Sequence, residues 1–313
     1  QSHFSIGRAL DELGFPPETL VTVPADADFR LRGAAVANAV AADRRAGLNP
    51  IAIAAVAGST NTGAVDAVGE LAELAAAEDL WLHVDAAYGA AALLSARDAG
   101  RVADLDRADS VTVDPHKWFF QAYDIGGLMV RRGELLEQVF GSRRPEYYRA
   151  GHGSTAQTTG SAASGAIDPH DEGLNFWKLG FEGTRRWRAL KLWFSWRHLG
   201  TAGLGRLIEA NNDLAAHLAL VIRGSADFEA LPAIPPLSVV CFRHLVAGLD
   251  GPRLDDHQDA LQRALEVSGA GWVSTTRLRG TTWLRAGILN TQSTASDVEG
   301  LLDTLRELAE ELD

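Results

Sequence analysis

Lys117 lies in the run Asp114-Pro115-His116-Lys117-Trp118-Phe119-Phe120, and Asp85 lies 32 residues before it in Trp81-Leu82-His83-Val84-Asp85-Ala86-Ala87-Tyr88-Gly89. Aromatic neighbours are expected to desolvate the Lys117 amine, disfavour its ammonium form and free a neutral nucleophile suited to a Schiff base with an aldehyde. Asp85, flanked by apolar and small residues, leaves room for something flat, and a buried carboxylate beside a ring nitrogen keeps that nitrogen protonated. Taken singly, each residue has an ordinary role: a lysine after a strand is commonly a solvated surface charge, and an aspartate at a strand-to-helix junction is commonly a helix N-cap. The pair, at this spacing, is what points to chemistry.

Trp-Leu-His-Val-Asp-Ala-Ala-Tyr followed by Asp-Pro-His-Lys-Trp closely resembles the group II pyridoxal-5′-phosphate (PLP)-dependent amino-acid decarboxylases, which act on aromatic amino acids, glutamate, histidine or related substrates. The resemblance runs from His3 to the C-terminus and includes Val273-Ser274-Thr275-Thr276-Arg277-Leu278-Arg279-Gly280. It implies a fold-type I PLP-dependent transferase-like large domain, α/β with a mostly parallel sheet and helices on both faces, and a small C-terminal α/β domain.

Carried over by position, the resemblance makes Lys117 the Schiff-base lysine, Asp85 the partner of the pyridinium nitrogen, Ala87 a small residue against the ring and His116 a neighbour of the cofactor. His3 matches the histidine that stacks on the ring and helps orient the substrate carboxylate, although read alone it would be part of a disordered terminus. Thr60, in Gly58-Ser59-Thr60, falls near the cofactor's polar edge; read alone it is a loop hydroxyl closing its own turn, and both readings stand. Tyr147, with Tyr148 adjacent, matches a loop tyrosine that protonates the carbanion after carbon dioxide leaves, or else belongs to an exposed tyrosine pair on a basic turn. That loop reaches the other subunit's site in the relatives, which implies a homodimer with shared active sites.

The implied reaction is decarboxylation of an L-amino acid to an amine, with aromatic amino acids the first choice and glutamate or another acidic or diamino acid the next. One alternative is a same-fold PLP enzyme that makes an aldehyde by oxidative deamination, against which Tyr147 argues. The other is a non-catalytic fragment, or half of a two-chain enzyme that needs a complementing N-terminal chain. The relatives' swapped N-terminal segment and their Ser/Gly-rich phosphate loop find no match, so the large domain is expected to be incomplete at its N-terminal side and the chain alone to hold PLP weakly.

These residues need elements to hold them. Residues 51–56 read as a strand followed by a Gly-Ser-Thr-Asn-Thr-Gly turn and a helical pattern through Glu78, and further strands are expected at 80–84, 109–113 and 126–131. Alternating strands and helices imply a sheet with parallel strands, whose ligand lies beyond the carboxyl ends, where Thr60, Asp85 and His116-Lys117 fall. Residues 150–173, rich in Gly, Ser, Thr and Ala, read as a long mobile loop of the kind that forms lids. From 183 to 199 a helical pattern carries Trp187, Leu190, Trp193, Phe194 and Trp196, a broad apolar surface for packing between layers or subunits, with core packing the expectation for the tryptophans. Strands at 237–242 and 281–289 with helices at 254–267 and 294–312 form the expected small domain, placing the division at 1–223 and 224–313. Gly151-His152-Gly153-Ser154-Thr155-Ala156 fits a dinucleotide fingerprint only formally, lacking the flanking strand and helix, and neither a GxSxG elbow nor an HExxH zinc motif occurs.

The 313 residues, 46% of them hydrophobic, suffice for one large and one smaller core. A formal charge of −12 argues against nucleic acid and anionic membranes as partners. One cysteine, Cys241, permits neither an internal disulfide nor a cysteine-based zinc site, and fits a reducing, cytoplasmic setting. No metal site is expected, no run is long enough for a membrane span, and the opening residues lack the apolar core of a signal peptide.

Overall fold

A computed structural model describes residues 1–141 and 176–312. Strands β1 (Ala52–Val56), β2 (Trp81–Asp85), β3 (Ser110–Val113) and β4 (Gly127–Val130) form one sheet in that order. The first three are parallel, with Val56 opposite Asp85 and Asp85 opposite Thr112. The parallel strands are short and dominated by Val, Ile, Leu and Ala, as strands covered on both faces usually are. β4 runs antiparallel to β3, because the short connection after Phe120 turns the chain back without the crossover a parallel strand needs.

The crossover between β1 and β2 carries helix α3 (Val68–Glu78), which presents Val68, Leu71, Ala72 and Ala75 to the core at helical spacing. It ends at Asp79, whose left-handed backbone (φ 54°) lets the chain turn into β2. Two helices that sequence patterning missed precede β1: α1 (Ser5–Glu12), and α2 (Gly33–Arg45), which adds Val36 and Val40 to the same core. After β4 comes the short α4 (Glu134–Phe140).

Helix α5 (Ala189–Gly224) starts later than the expected 183, and Gly200 interrupts it with a non-helical backbone (φ 66°, ψ 171°). The expectation that its tryptophans pack in the core holds for Trp196, which lies against the first core, and is corrected for the other two. Trp187 just before it and Trp193 within it are 75% and 55% exposed, and Phe194 is exposed as well. Farther along, Ile208 enters the core of the first sheet, whereas Ala215, Leu218, Ala219 and Ile222 enter a second core, so one helix serves both.

That second core lies on a sheet of order β5-β6-β8-β7, all antiparallel: β5 (Phe228–Ala230), β6 (Val239–His244), β7 (Ser274–Leu278) and β8 (Thr281–Gly287). Helices α6 (Gly251–Ser268) and α7 (Ala295–Glu310) cover it, and α7 opens with a capping box in which Thr294 and Asp297 satisfy each other's backbone N–H. Leu237, just before β6, belongs to the first core, and Leu289, after β8, packs against it. Among the described residues no helix is long and apolar enough to cross a membrane.

The backbones after β1 and β2 meet at Gly89. Its N–H donates to the Ala57 carbonyl at 3.1 Å, and a Cβ there would stand 2.2 Å from that oxygen. Gly89→Ala should therefore lower unfolding free energy by about 1–3 kcal/mol, as overpacked sites do. Gly100→Ala, whose methyl meets nothing within 4 Å, should stay within about 0.5 kcal/mol. Urea denaturation of the two variants checks both; equal midpoints would show that the contact relaxes without penalty.

Candidate active site

The carboxyl ends of the three parallel strands are laced together by backbone hydrogen bonds. Ala57 N donates to Asp85 O at 2.9 Å, Ala86 N to Thr112 O at 3.1 Å and Asp114 N to Ala87 O at 3.1 Å. The segments carrying Thr60, Asp85 and Lys117 thus share one edge of the sheet, where ligands of α/β sheets bind.

After β1, the turn of residues 58–63 is closed by buried hydroxyls. Ser59 Oγ accepts from the N–H groups of Thr62 and Ala64 and lies 3.0 Å from Thr62 Oγ1. Closure falls to Ser59 and Thr62, and Thr60 stands exposed at the tip.

Asp85 ends β2 half-buried. Its Oδ1 accepts from Ala87 N–H at 3.1 Å rather than capping a helix, and its Oδ2 has no partner among the described residues. Ala86 and Ala87 are buried and small. Two positions earlier on the same face, His83 Nδ1 lies 2.9 Å from Ser110 Oγ. Burial pushes the His83 imidazole below its ordinary pKa, against the upward pull of Asp85. A neutral His83 leaves the negative charge of Asp85 to some other cation.

After β3, Lys117 N bonds to Asp114 O at 2.9 Å, and this tight turn brings Lys117 Nζ to 3.0 Å from Asp114 Oδ2. His116 Nε2 lies 3.7 Å from the same oxygen, and its Nδ1 contacts the Ile125 carbonyl. The expected aromatic surround of the amine is corrected here. Trp118 is fully buried, stacked on Tyr88 at 4.8 Å with its indole N–H on Asn211 Oδ1 at 3.0 Å. Phe119 is likewise buried, and the Lys117 side chain keeps 36% of its surface exposed. The aromatic residues fix the backbone beside the lysine and leave its amine to a carboxylate.

His3 is half-buried and engaged locally, with Nδ1 2.8 Å from Ser5 Oγ and its ring against Phe4; no described contact ties it to Asp85 or Lys117. Tyr147 with its neighbour Tyr148, the 150–173 loop and the discarded Gly151–Ala156 motif lie outside the described residues. Sequence reading gave no role to Asp114 or Tyr88, although both stand in the quoted motifs. The i, i+3 spacing of Asp114 and Lys117 was a usable signal. Nothing in the sequence marks Asn211 as the support of Trp118.

The edge therefore offers a primary amine against a carboxylate, a second carboxylate with a free oxygen, and two small buried residues beside it. Such a set suits a flat, basic heteroaromatic ring that bears an aldehyde. Among the described residues no group of three or more His, Cys, Asp or Glu is placed to hold a metal ion.

Residues 1–245 match the family described as "Pyridoxal-dependent decarboxylase conserved domain". The chain is 33% identical over 314 residues to an aromatic-L-amino-acid decarboxylase of Bacillus atrophaeus, covering 100% of this chain and 62% of that protein. It is 33% identical over 319 residues to an L-2,4-diaminobutyrate decarboxylase of Rhizobium meliloti (strain 1021), covering 100% of this chain and 59% of that one. It also superposes, with a TM-score of 0.86 and 27% identity, on a crystal structure of Oryza sativa TDC with PLP and tryptamine, over 99% of this chain and 61% of the other. The chain thus spans about three-fifths of the length of these relatives.

His83 gives the site a measurable acid sensitivity. Its folded pKa lies below its unfolded one, so the unfolded chain takes up the proton first; the stability this residue contributes is full above the ordinary histidine range and is lost as pH falls through it. Between about pH 7 and about pH 5.5 the urea midpoint should fall more for the wild type than for His83→Asn. Parallel slopes for the two proteins would mean that His83 titrates freely in the fold.

Proposed function

The chain belongs to the pyridoxal-dependent decarboxylase family, and on that premise we propose that the protein it forms, or forms part of, removes the α-carboxylate of an L-amino acid as carbon dioxide and releases an amine. The observation that carries this reading is the placement of Asp85 at the carboxyl end of β2 and of Lys117 just beyond the end of the adjacent parallel strand β3, on segments joined by the Asp114 N to Ala87 O bond.

Bound pyridoxal 5′-phosphate supplies an aldehyde for an amine and an electron-poor ring that takes up the electron pair left when the carboxylate departs. Lys117 supplies the amine. Its Nζ lies 3.0 Å from Asp114 Oδ2, a carboxylate able to take its proton and leave a nucleophilic nitrogen. Asp85 supplies the unpartnered Oδ2 for a ring N–H, and an ionised carboxylate there keeps the nitrogen protonated. Ala87 leaves room for the ring. His116, beside Asp114, and the exposed hydroxyl of Thr60 are assigned to the cofactor's surroundings, and His3 to the substrate carboxylate.

Aromatic amino acids are the proposed substrates, supported by the whole-chain similarity to the Bacillus atrophaeus protein. Diamino acids come next, supported by the Rhizobium meliloti relative. The exposed Trp187, Trp193 and Phe194, the last two in ring contact, support assembly as a homodimer, since clustered exposed aromatic residues commonly mark protein–protein contact. A buried free thiol at Cys241 suits a reducing compartment such as the cytoplasm.

Borohydride reduction of the protein loaded with pyridoxal phosphate, followed by peptide mapping, should place the pyridoxyl group on Lys117; label on another lysine would sink the assignment. Asp85→Asn should keep the fold and the label yet slow carbon dioxide release from an aromatic amino acid by about a hundredfold or more, because a neutral amide does not hold the ring proton. Near-normal turnover in that variant would remove Asp85 from the reaction.

A further inference from the structure

The turn after β1 is gripped from far along the chain. Arg285 on β8 donates its Nε–H to Thr60 O at 2.6 Å. Thr276 on β7 donates its hydroxyl to Asn61 Oδ1 at 2.9 Å, and Cys241 on β6 donates its thiol to Asn61 O at 3.0 Å. Burial pushes the Cys241 thiol up to about 12, so it remains a protonated donor.

These donors share one face of the C-terminal sheet. Cys241 and Ser274 both stand opposite Arg285, and Thr276 is two residues from Ser274 and so projects to the same side. Their strand neighbours Val240, Phe242, Leu284 and Ala286 face the other way, into the second core. One face of the sheet is thus committed to helices, and the other receives the turn together with a small apolar cluster around Phe29, Val239 and Trp283. Ser59 and Thr62 close the turn from within, and the three outside donors grip it from the C-terminal sheet. What they set is where it stands relative to Asp85 and Lys117. A second strut runs parallel: the Tyr88 hydroxyl contacts Ser238 Oγ and accepts from Ser238 N at 3.0 Å, while the Tyr88 ring stacks on Trp118 beside Lys117.

We propose that Arg285 and Thr276 are positioning residues, through which the C-terminal sheet fixes the turn of residues 58–63 and so holds the exposed Thr60 hydroxyl at the cofactor edge of the site. The inference rests on the reading of Lys117 and Thr60 given above. Arg285 carries the larger share, because a guanidinium-to-carbonyl bond is charge-assisted whereas the thiol is a weak donor.

The test is amide hydrogen exchange on the whole protein, with and without pyridoxal phosphate, for wild type, Arg285→Ala, Thr276→Val and Thr276→Ser. In Arg285→Ala and Thr276→Val the amides of residues 58–64 should exchange about tenfold faster or more, with β2 amides unchanged, and Thr276→Ser should restore protection. The visible circular dichroism of the bound cofactor, which reads its orientation, should weaken in the same two variants and recover in Thr276→Ser. Unchanged exchange at the turn overturns the inference, as does a loosened turn with an unaltered dichroism band, which would mark a purely structural clamp. A wild-type protein that holds pyridoxal phosphate yet takes no borohydride label at Lys117 overturns the functional reading and the role of Thr60 with it, and is recognised before any variant is compared.

Discussion

The contact on which the rest of this site depends is the meeting of Gly58 and Gly89. A Cβ on Gly58 would stand 2.8 Å from the Tyr88 ring and 2.9 Å from Gly89 Cα, and one on Gly89 would strike the Ala57 carbonyl. Two backbones can approach this closely only where neither carries a side chain, and Gly58 also adopts a positive φ of 92°. From that crossing, the chain after β1 turns back through Ser59 and Thr62, and the chain after β2 runs on into the segment Gly89–Leu94. Tyr88 is forced across Gly58, where its ring meets Trp118 and its hydroxyl meets Ser238. The positions of Thr60, Asp85 and the Lys117 segment are therefore mutually dependent.

The electrostatics of the edge follow from partial burial. The Lys117–Asp114 pair remains open to solvent and adds little to stability, as exposed ion pairs generally do. That weakness suits the role proposed for Lys117, in which its amine leaves the carboxylate for an aldehyde carbon. The supporting bonds lie deeper: Trp118 is held by Asn211, whose amide donates to Asn290 O at 3.1 Å, and this chain of neutral contacts fixes the backbone without competing for the lysine's charge. Rigidity and reactivity are assigned to different atoms of adjacent residues.

Much of this frame was legible in the sequence. Short apolar runs ending in Asp85 and Asp114 announced parallel strands and their carboxyl ends, because a strand covered on both faces has a continuous apolar pattern and its functional residue stands just past it. The Lys117 and Asp85 pair was legible from motif and spacing. The direction of Trp118 and Phe119 was not, since it depends on a backbone turn in which Phe120 takes a positive φ of 60°, a conformation no local pattern announces. The helical stripe with Trp187 and Trp193 was visible, but periodicity shows that a face is apolar and leaves open what covers it. Residue order also hides the grip of Thr276 on Asn61, 215 positions away. The β7–β8 hairpin was readable in principle: Arg279-Gly280, both at positive φ, forms the two-residue turn that such a hairpin favours.

Helix α5 and the residues beyond it carry a consequence for biosynthesis. The four described strands of the first sheet have all been made by Val130, yet its core takes Ile208 from α5, Leu237 from beyond it, and cover from Leu289. A ribosome making this chain releases the β1–β4 sheet long before it releases the residues that seal it. Until then the nascent sheet displays its unfilled apolar surface and the edge of β4, where Leu128 and Met129 face solvent. Order of synthesis thus leaves that apolar surface without its native cover until α5 and the residues after it have emerged, and slow translation across α5 would lengthen the interval.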